Sequence, residues 1–151
     1  MRISKAADYA LLAVTYLATL NRDSDGLRSK AHLAHQLNLP KEYLSKILQK
    51  LTRGDILTSE RGVKGGYFLR RCPGEITFKD VIEAVDGKRS LVDNLSEDFE
   101  NSGRLDVCQP IIPKVQEVQK RIDEALDSMH FGEVDIRQVS EHVFDYDKYF
   151  E

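Results

Sequence analysis

The chain of 151 residues reads as mainly α with a small β wing: a winged helix-turn-helix followed by a long C-terminal dimerisation helix. Three features point there. Between Lys41 and Arg53 the apolar residues Leu44, Ile47, Leu48 and Leu51 recur at helical spacing, with Lys46, Lys50 and Arg53 nearly opposite. Immediately afterwards, Ile56 to Arg61 and Gly66 to Arg71 form two β-like runs around Gly62-Val63-Lys64-Gly65. Nearer the carboxyl end, Val115, Val118, Ile122, Leu126 and Met129 repeat at three-and-four spacing, the narrow stripe of a helix–helix seam.

Each element has a local reason. Ile3, Ala6, Ala7, Ala10, Val14, Leu17 and Ala18 mark a first helix, with Ser4 as its N-cap. A polar turn follows at 21–26. Ser29 caps a second helix that buries Leu33, Ala34 and Leu37, and Asn38 tolerates a left-handed turn after it. Pro40 suits the first turn of the third helix, and Gly54 is expected to close that helix in the left-handed conformation. Cys72-Pro73-Gly74 is a turn, and Thr77 caps a short helix from Phe78 to Asp86, closed by Gly87, with Val81, Ile82 and Val85 inward. An acidic stretch runs from Arg89 to Asp106. The long helix spans about Pro110 to Met129 with Pro113 in its first turn, and an acidic, aromatic-tipped end runs from Glu133 to Glu151. Three regions result: residues 1–71, the DNA-binding domain; 72–106, a connecting helix and acidic sensor-type loop; and 107–151, the dimerisation helix and tail.

Composition narrows the function. Hydrophobic residues at 41% and charged residues at 31% fit a soluble globular protein with a genuine core. No apolar run approaches the roughly 20 residues of a membrane span. Lys5, Asp8 and Tyr16 interrupt the N-terminal apolar stretch, which reads as a folded helix rather than a signal peptide. Two distant cysteines, Cys72 and Cys108, form no disulfide framework and suit a reducing cytoplasm. The net charge of −3 hides an asymmetry. Residues 1–71 hold 13 Lys+Arg against 6 Asp+Glu, a net +7, and the remainder holds 9 against 19, a net −10. The first half is built for polyanions.

A basic helix beside a basic, glycine-tipped hairpin can enter a DNA groove and grip flanking phosphates. The residues placed on that surface are Ser29, Pro40, Lys41, Glu42, Tyr43, Ser45, Lys46, Lys50, Arg61, Lys64, Gly65 and Gly66. Lys46 or Lys50 is expected to touch phosphate, and Arg61 to enter a minor groove. The plainer reading, a solvated lysine face on a helix followed by an ordinary hairpin, fits spacing and charge equally well. The segment upstream, which completes a helix-turn-helix, tips the balance. Enzyme chemistry is not expected. No nucleophile motif is present, and GVKGGY lacks the lysine and hydroxyl spacing of a phosphate-binding loop. His32 and His35 read as surface or cap residues, and His130 and His142 stand alone.

The opening MRISKAADYAL, the run YLSKILQKL, the wing SERGVKGGYFL and ITFKDVIEAVDG together resemble the Rrf-two family of bacterial winged-helix transcription regulators. The resemblance covers Met1 to about Gly87 and, more weakly, the stretch to Met129. It implies a homodimer, usually a repressor, reading a pseudo-palindromic operator on double-stranded DNA. By position, the base-reading turn falls on Pro40, Glu42 and Ser45 and the wing arginine on Arg61. Relatives carry serine where Pro40 and Glu42 stand and glutamate where Ser45 stands, so the operator sequence does not transfer. Cluster-binding relatives place three cysteines before the long helix. Here Cys108 holds the last of those positions, Ser96 and Ser102 lie near the others, and Ile111 replaces a histidine ligand. Asp8 matches a position from which one relative donates a carboxylate across the dimer. No metal or other cofactor is expected, Cys108 and Asp8 being the candidates if an iron–sulfur cluster is bound. The dimer seam falls on Val115, Val118, Ile122, Leu126 and Met129. Redox, metal or metabolite state, or a metabolic-enzyme partner, are the candidate inputs. The alternative function is a protein-interaction module acting on an enzyme or regulator through its acidic C-terminal arm.

Overall fold

The computed structural model describes residues 3–20, 26–88, 90 and 109–134. The expectations for the polar turn, most of the acidic stretch, Cys108 and the aromatic tail therefore fall outside the described residues. Helix α1 spans Lys5–Leu20 and buries Ala7, Ala10, Ala13, Val14, Leu17 and Ala18. Four alanines on one face let other helices approach closely. Ser4 caps α1, its Oγ accepting from the Ala7 N–H at 3.0 Å. Helix α2 spans Lys30–Gln36, with the Ser29 side chain accepting from the His32 N–H. Leu33 and Ala34 are buried, whereas Leu37, expected inside, is only half-buried. Asn38 takes a φ of 49°, the left-handed turn its short polar side chain permits.

Helix α3 spans Lys41–Arg53 and buries Leu44, Ile47, Leu48 and Leu51, the expected stripe. Its two ends differ from expectation. Pro40 precedes the helix with ψ near 125° instead of occupying its first turn. Gly54 is not left-handed: its φ is −83°, and Asp55 takes the positive φ of 58°. The Asp55 carboxylate is held by Arg70, Oδ1 to Nη1 at 2.8 Å, which ties the helix exit to the end of the wing. Gly54 is needed for space. A Cβ there would lie 2.6 Å from the Ala84 Cβ on the neighbouring helix.

The wing is an antiparallel pair, β1 (Leu57–Glu60) with β2 (Gly66–Leu69), in the register Leu57↔Leu69 to Glu60↔Gly66. Arg28 adds an isolated third bridge: its N–H donates to the Tyr67 carbonyl at 3.0 Å and the Tyr67 N–H donates back at 2.8 Å. Helix α4 spans Phe78–Asp86, with a capping box between Thr77 and Asp80, and ends at Gly87 with a φ of 77°. Val81 and Val85 are buried, while Ile82 is half-buried and lines a groove. The longest helix, α5, spans Ile112–Ser128.

One core runs through these elements. It joins α1, α2, α3 and the wing strands with Ile76, Val81, Val85 and Phe131. Phe131 follows α5, is buried, and stacks on Phe78 with ring centroids 4.7 Å apart. Hydrogen bonds from Phe78 N–H to Met129 and from Phe131 N–H to Ile76 fasten the exit of α5 beside the start of α4. The sequence pattern leaves Phe131 unassigned between the long helix and the acidic end, because one aromatic among polar residues carries no period.

Candidate nucleic-acid interface

One short basic segment links the wing to helix α3. The segment Arg28–Lys30 pairs its backbone with Tyr67 of β2 and, two residues on, extends Lys30 Nζ to within 3.3 Å of Ser45 Oγ on α3. One short stretch of chain therefore touches both the wing and the outer face of α3. Lys41, Glu42, Tyr43 and Lys46 are exposed on that helix, with Pro40 exposed just before it. The Tyr43 ring packs edge-on against Tyr9 of α1, centroids 5.8 Å apart, which fixes the first turn of α3 to the body. Ser29 is exposed but its hydroxyl is used as the α2 cap. At the wing tip Arg61, Val63 and Lys64 are exposed, and Gly62, with a φ of 119°, and the Gly65 N–H bond to the Gly62 carbonyl shape the turn.

Three residues hold positions other than those expected of them. Gly66 is buried in β2, where a Cβ would run into the Arg28 carbonyl, so the Arg28–Tyr67 pairing by itself requires a glycine there. Gly65 is half-buried, and a Cβ there would meet the Glu60 carbonyl. Lys50, assigned to phosphate, donates from Nζ to the Val85 carbonyl at 2.7 Å. That carbonyl belongs to the last turn of α4, where unpaired oxygens concentrate partial negative charge. Lys30, in contrast, had not been singled out. Only the placement of α2 against α3 shows that it reaches the outer face of α3.

Nearer the C-terminus, Ile122 and Leu126 line a groove with Ile82 of α4 and Ile3. The other part of the same stripe faces outward, with Val118 50% and Met129 47% exposed, and Val115 half-buried.

A family match over most of the chain decides the family. The model of the Rrf2 family, described as an iron-dependent transcriptional regulator, matches residues 3–134. This chain belongs to the Rrf2 family. Among curated Rrf2 relatives, it is 36% identical over 83 residues to a putative HTH-type transcriptional regulator of Aquifex aeolicus, covering 55% of this chain and 56% of that protein. It is 32% identical over 98 residues to the regulator CymR of Bacillus subtilis, covering 65% and 70%. The chain thus spans just over half the length of the first. Among solved structures, CymR, the global cysteine regulator of B. subtilis, superposes with a TM-score of 0.65 at 27% identity, over 87% of this chain and 93% of that one. T. potens IscR superposes at 0.63 and 24% identity, over 93% and 89%, a likeness of fold. These Rrf2 proteins are regulators, not enzymes. A metabolic-enzyme partner finds no support among them.

The family description raises iron, so the donors matter. Iron–sulfur clusters are held mainly by several thiolates. The entire chain has two cysteines, and Cys72 is exposed at the start of the 3-10 turn Pro73–Glu75. Asp8 is exposed in the first turn of α1, where a carboxylate favours the helix dipole. Among the described residues no three His, Cys, Asp or Glu side chains converge on a possible metal position. One copy of the chain supplies fewer thiolates than the four that hold the common clusters. Among them, too, no helix is long and apolar enough to cross a membrane.

Proposed function

We propose that this chain is a homodimeric, sequence-specific DNA-binding transcription regulator, a repressor acting in the cytoplasm on a pseudo-palindromic operator. The observation that supports this reading is the joint contact of Arg28–Lys30 with β2 and α3, which ties the wing to the helix proposed to read DNA. In the proposed complex α3 lies in the major groove with Pro40, Glu42, Tyr43 and Ser45 toward base edges. Lys41 and Lys46 meet phosphates beside it, and Arg61 with Lys64 reaches the adjacent minor groove. The acidic second half of the chain stays off the duplex because like charges repel.

Two copies are needed because a reader of this size presents one helix to one half-site. A two-fold pair spaces the two recognition helices by one turn of duplex, about 34 Å. Selection from a random DNA library tests the reading directly. The expected product is an inverted repeat with half-sites about 10 base pairs apart, bound more weakly as salt rises. Recovery of no repeat, with no binding to mixed duplex at low salt, overturns it. The regulatory signal is proposed to reach the protein without a resident iron–sulfur cluster. Protein purified without oxygen is expected to be colourless and free of labile sulfide; a brown product with charge-transfer absorption reverses that part.

A further inference from the structure

The contact between Lys30 and Ser45 assigns a hydrogen-bonding polarity to the recognition helix. An ammonium has three donors and no acceptor, so Lys30 Nζ must donate to Ser45 Oγ across their 3.3 Å separation. A serine hydroxyl has one O–H and two lone pairs. With one lone pair occupied by the ammonium, the O–H is turned away from Lys30. No other side-chain partner for Ser45 occurs among the described residues. Both residues are half-buried, and their pairing joins the first turn of α2 to the outer face of α3.

We infer that Lys30 is a positioning residue that makes Ser45 a hydrogen-bond donor to the major groove, specifying one guanine in each half-site. The inference rests on the DNA-binding reading and deepens it. A bare serine reads either a donor or an acceptor. Here the free O–H, with a fixed positive charge next to it, favours an edge made only of acceptors. Guanine offers N7 and O6 there, whereas cytosine presents an amino donor, adenine pairs one acceptor with one amino donor, and thymine offers O4 alone beside its methyl group. The ammonium field adds to the discrimination, since it attracts the guanine edge and repels an amino group.

The test is library selection followed by single-position competition on wild type, Ser45→Ala, Lys30→Gln and Lys30→Arg, each checked for an unchanged melting midpoint. Wild type is expected to prefer guanine at one position per half-site by about fivefold or more, the low end of what one mismatch costs. Ser45→Ala and Lys30→Gln flatten that same position, their double variant is no flatter than either alone, and Lys30→Arg restores part of the preference. If the selected repeat is intact in both single variants, the inference falls while DNA binding stands. If Lys30→Gln weakens all sequences equally and leaves the guanine preference, Lys30 is a phosphate contact and the pairing has no role in reading. If wild type selects no repeat, the DNA-binding reading itself has failed.

Discussion

A methyl group added at Gly54 would come within 2.6 Å of the Ala84 Cβ, closer than packed carbons tolerate. In an ordinary exposed helix end, Gly→Ala is neutral or stabilising. Gly54→Ala is therefore predicted to lower stability by about 1–3 kcal/mol, the range for overpacking. Urea unfolding checks this, and the double variant with Ala84→Gly should be less destabilised than the sum of the singles, because deletion of one methyl makes room for the other. Additive losses would remove the steric explanation. The sequence did announce a glycine here, but for the wrong reason. A glycine after a helix suits a left-handed cap, and nothing local shows that another helix, thirty residues on, crosses at that point. Asn38 was legible because its conformation is a property of the residue itself. Asp55 was not, although a φ of 58° is also within an aspartate's reach, because the glycine before it is the better candidate for a left-handed turn. Phe131 is a different case: its burial against Phe78 comes from tertiary packing alone.

Helices α3 and α4 are joined by charge as well as by close packing. Lys50 donates to the Val85 carbonyl at 2.7 Å, and at the same end of α4 Ser4 donates to Asp86 at 2.5 Å while capping α1. The apolar stripe of α3 was readable from its period, and so were its boundaries to within a residue. The division of labour among its lysines was not, because Lys46 and Lys50 are equivalent in spacing and charge. The structure separates them: Lys46 projects outward and Lys50 is committed to a helix terminus. Lys46→Met is thus predicted to weaken binding to all sequences and to reduce the salt slope of log K by about 0.9, one phosphate's worth of counterion release. Lys50→Met should leave that slope nearly unchanged and instead lower the melting midpoint slightly, as expected when a helix C-terminus loses a cation contributing roughly 0.3–1 kcal/mol. Fluorescence anisotropy at several salt concentrations, with thermal melts alongside, distinguishes the two. Equal slope losses would show that Lys50 leaves Val85 for phosphate when DNA arrives. The wing adds its own test. Gly66→Ala forces a Cβ into the Arg28 carbonyl, so it should loosen the Arg28–Tyr67 bridge and raise hydrogen exchange at both amides.

At the scale of the molecule, α5 poses the remaining problem of burial. It is seventeen residues long, yet among its described residues none is buried within one chain. Ile122 and Leu126 turn toward Ile82 and Ile3, so part of the stripe read as a dimer seam is engaged within the chain. Val118 on the same helix and Met129 just after it remain about half exposed, and Ile111 precedes them at 53%. Periodicity showed that one side of α5 is apolar. It could not tell which of those residues meet α4 and which stay exposed on one chain, because α4 and a second copy would ask for the same residue types. A two-fold pair of α5 helices would cover the outward residues, and interfaces of stable pairs bury about 1,200–2,000 Å² in total. Val118→Glu puts a charge in that seam without touching the core, so the monomer fold is expected to survive by circular dichroism while sedimentation reports half the wild-type mass. The consequence for DNA follows from linkage. With two half-sites engaged together the second contact is intramolecular, and losing that advantage should cost on the order of 100-fold in operator affinity while affinity for an isolated half-site barely changes. If Val118→Glu sediments as wild type does and holds the full operator equally well, the outward stripe is not the dimer contact, and the pairing of two recognition helices must be built from another surface.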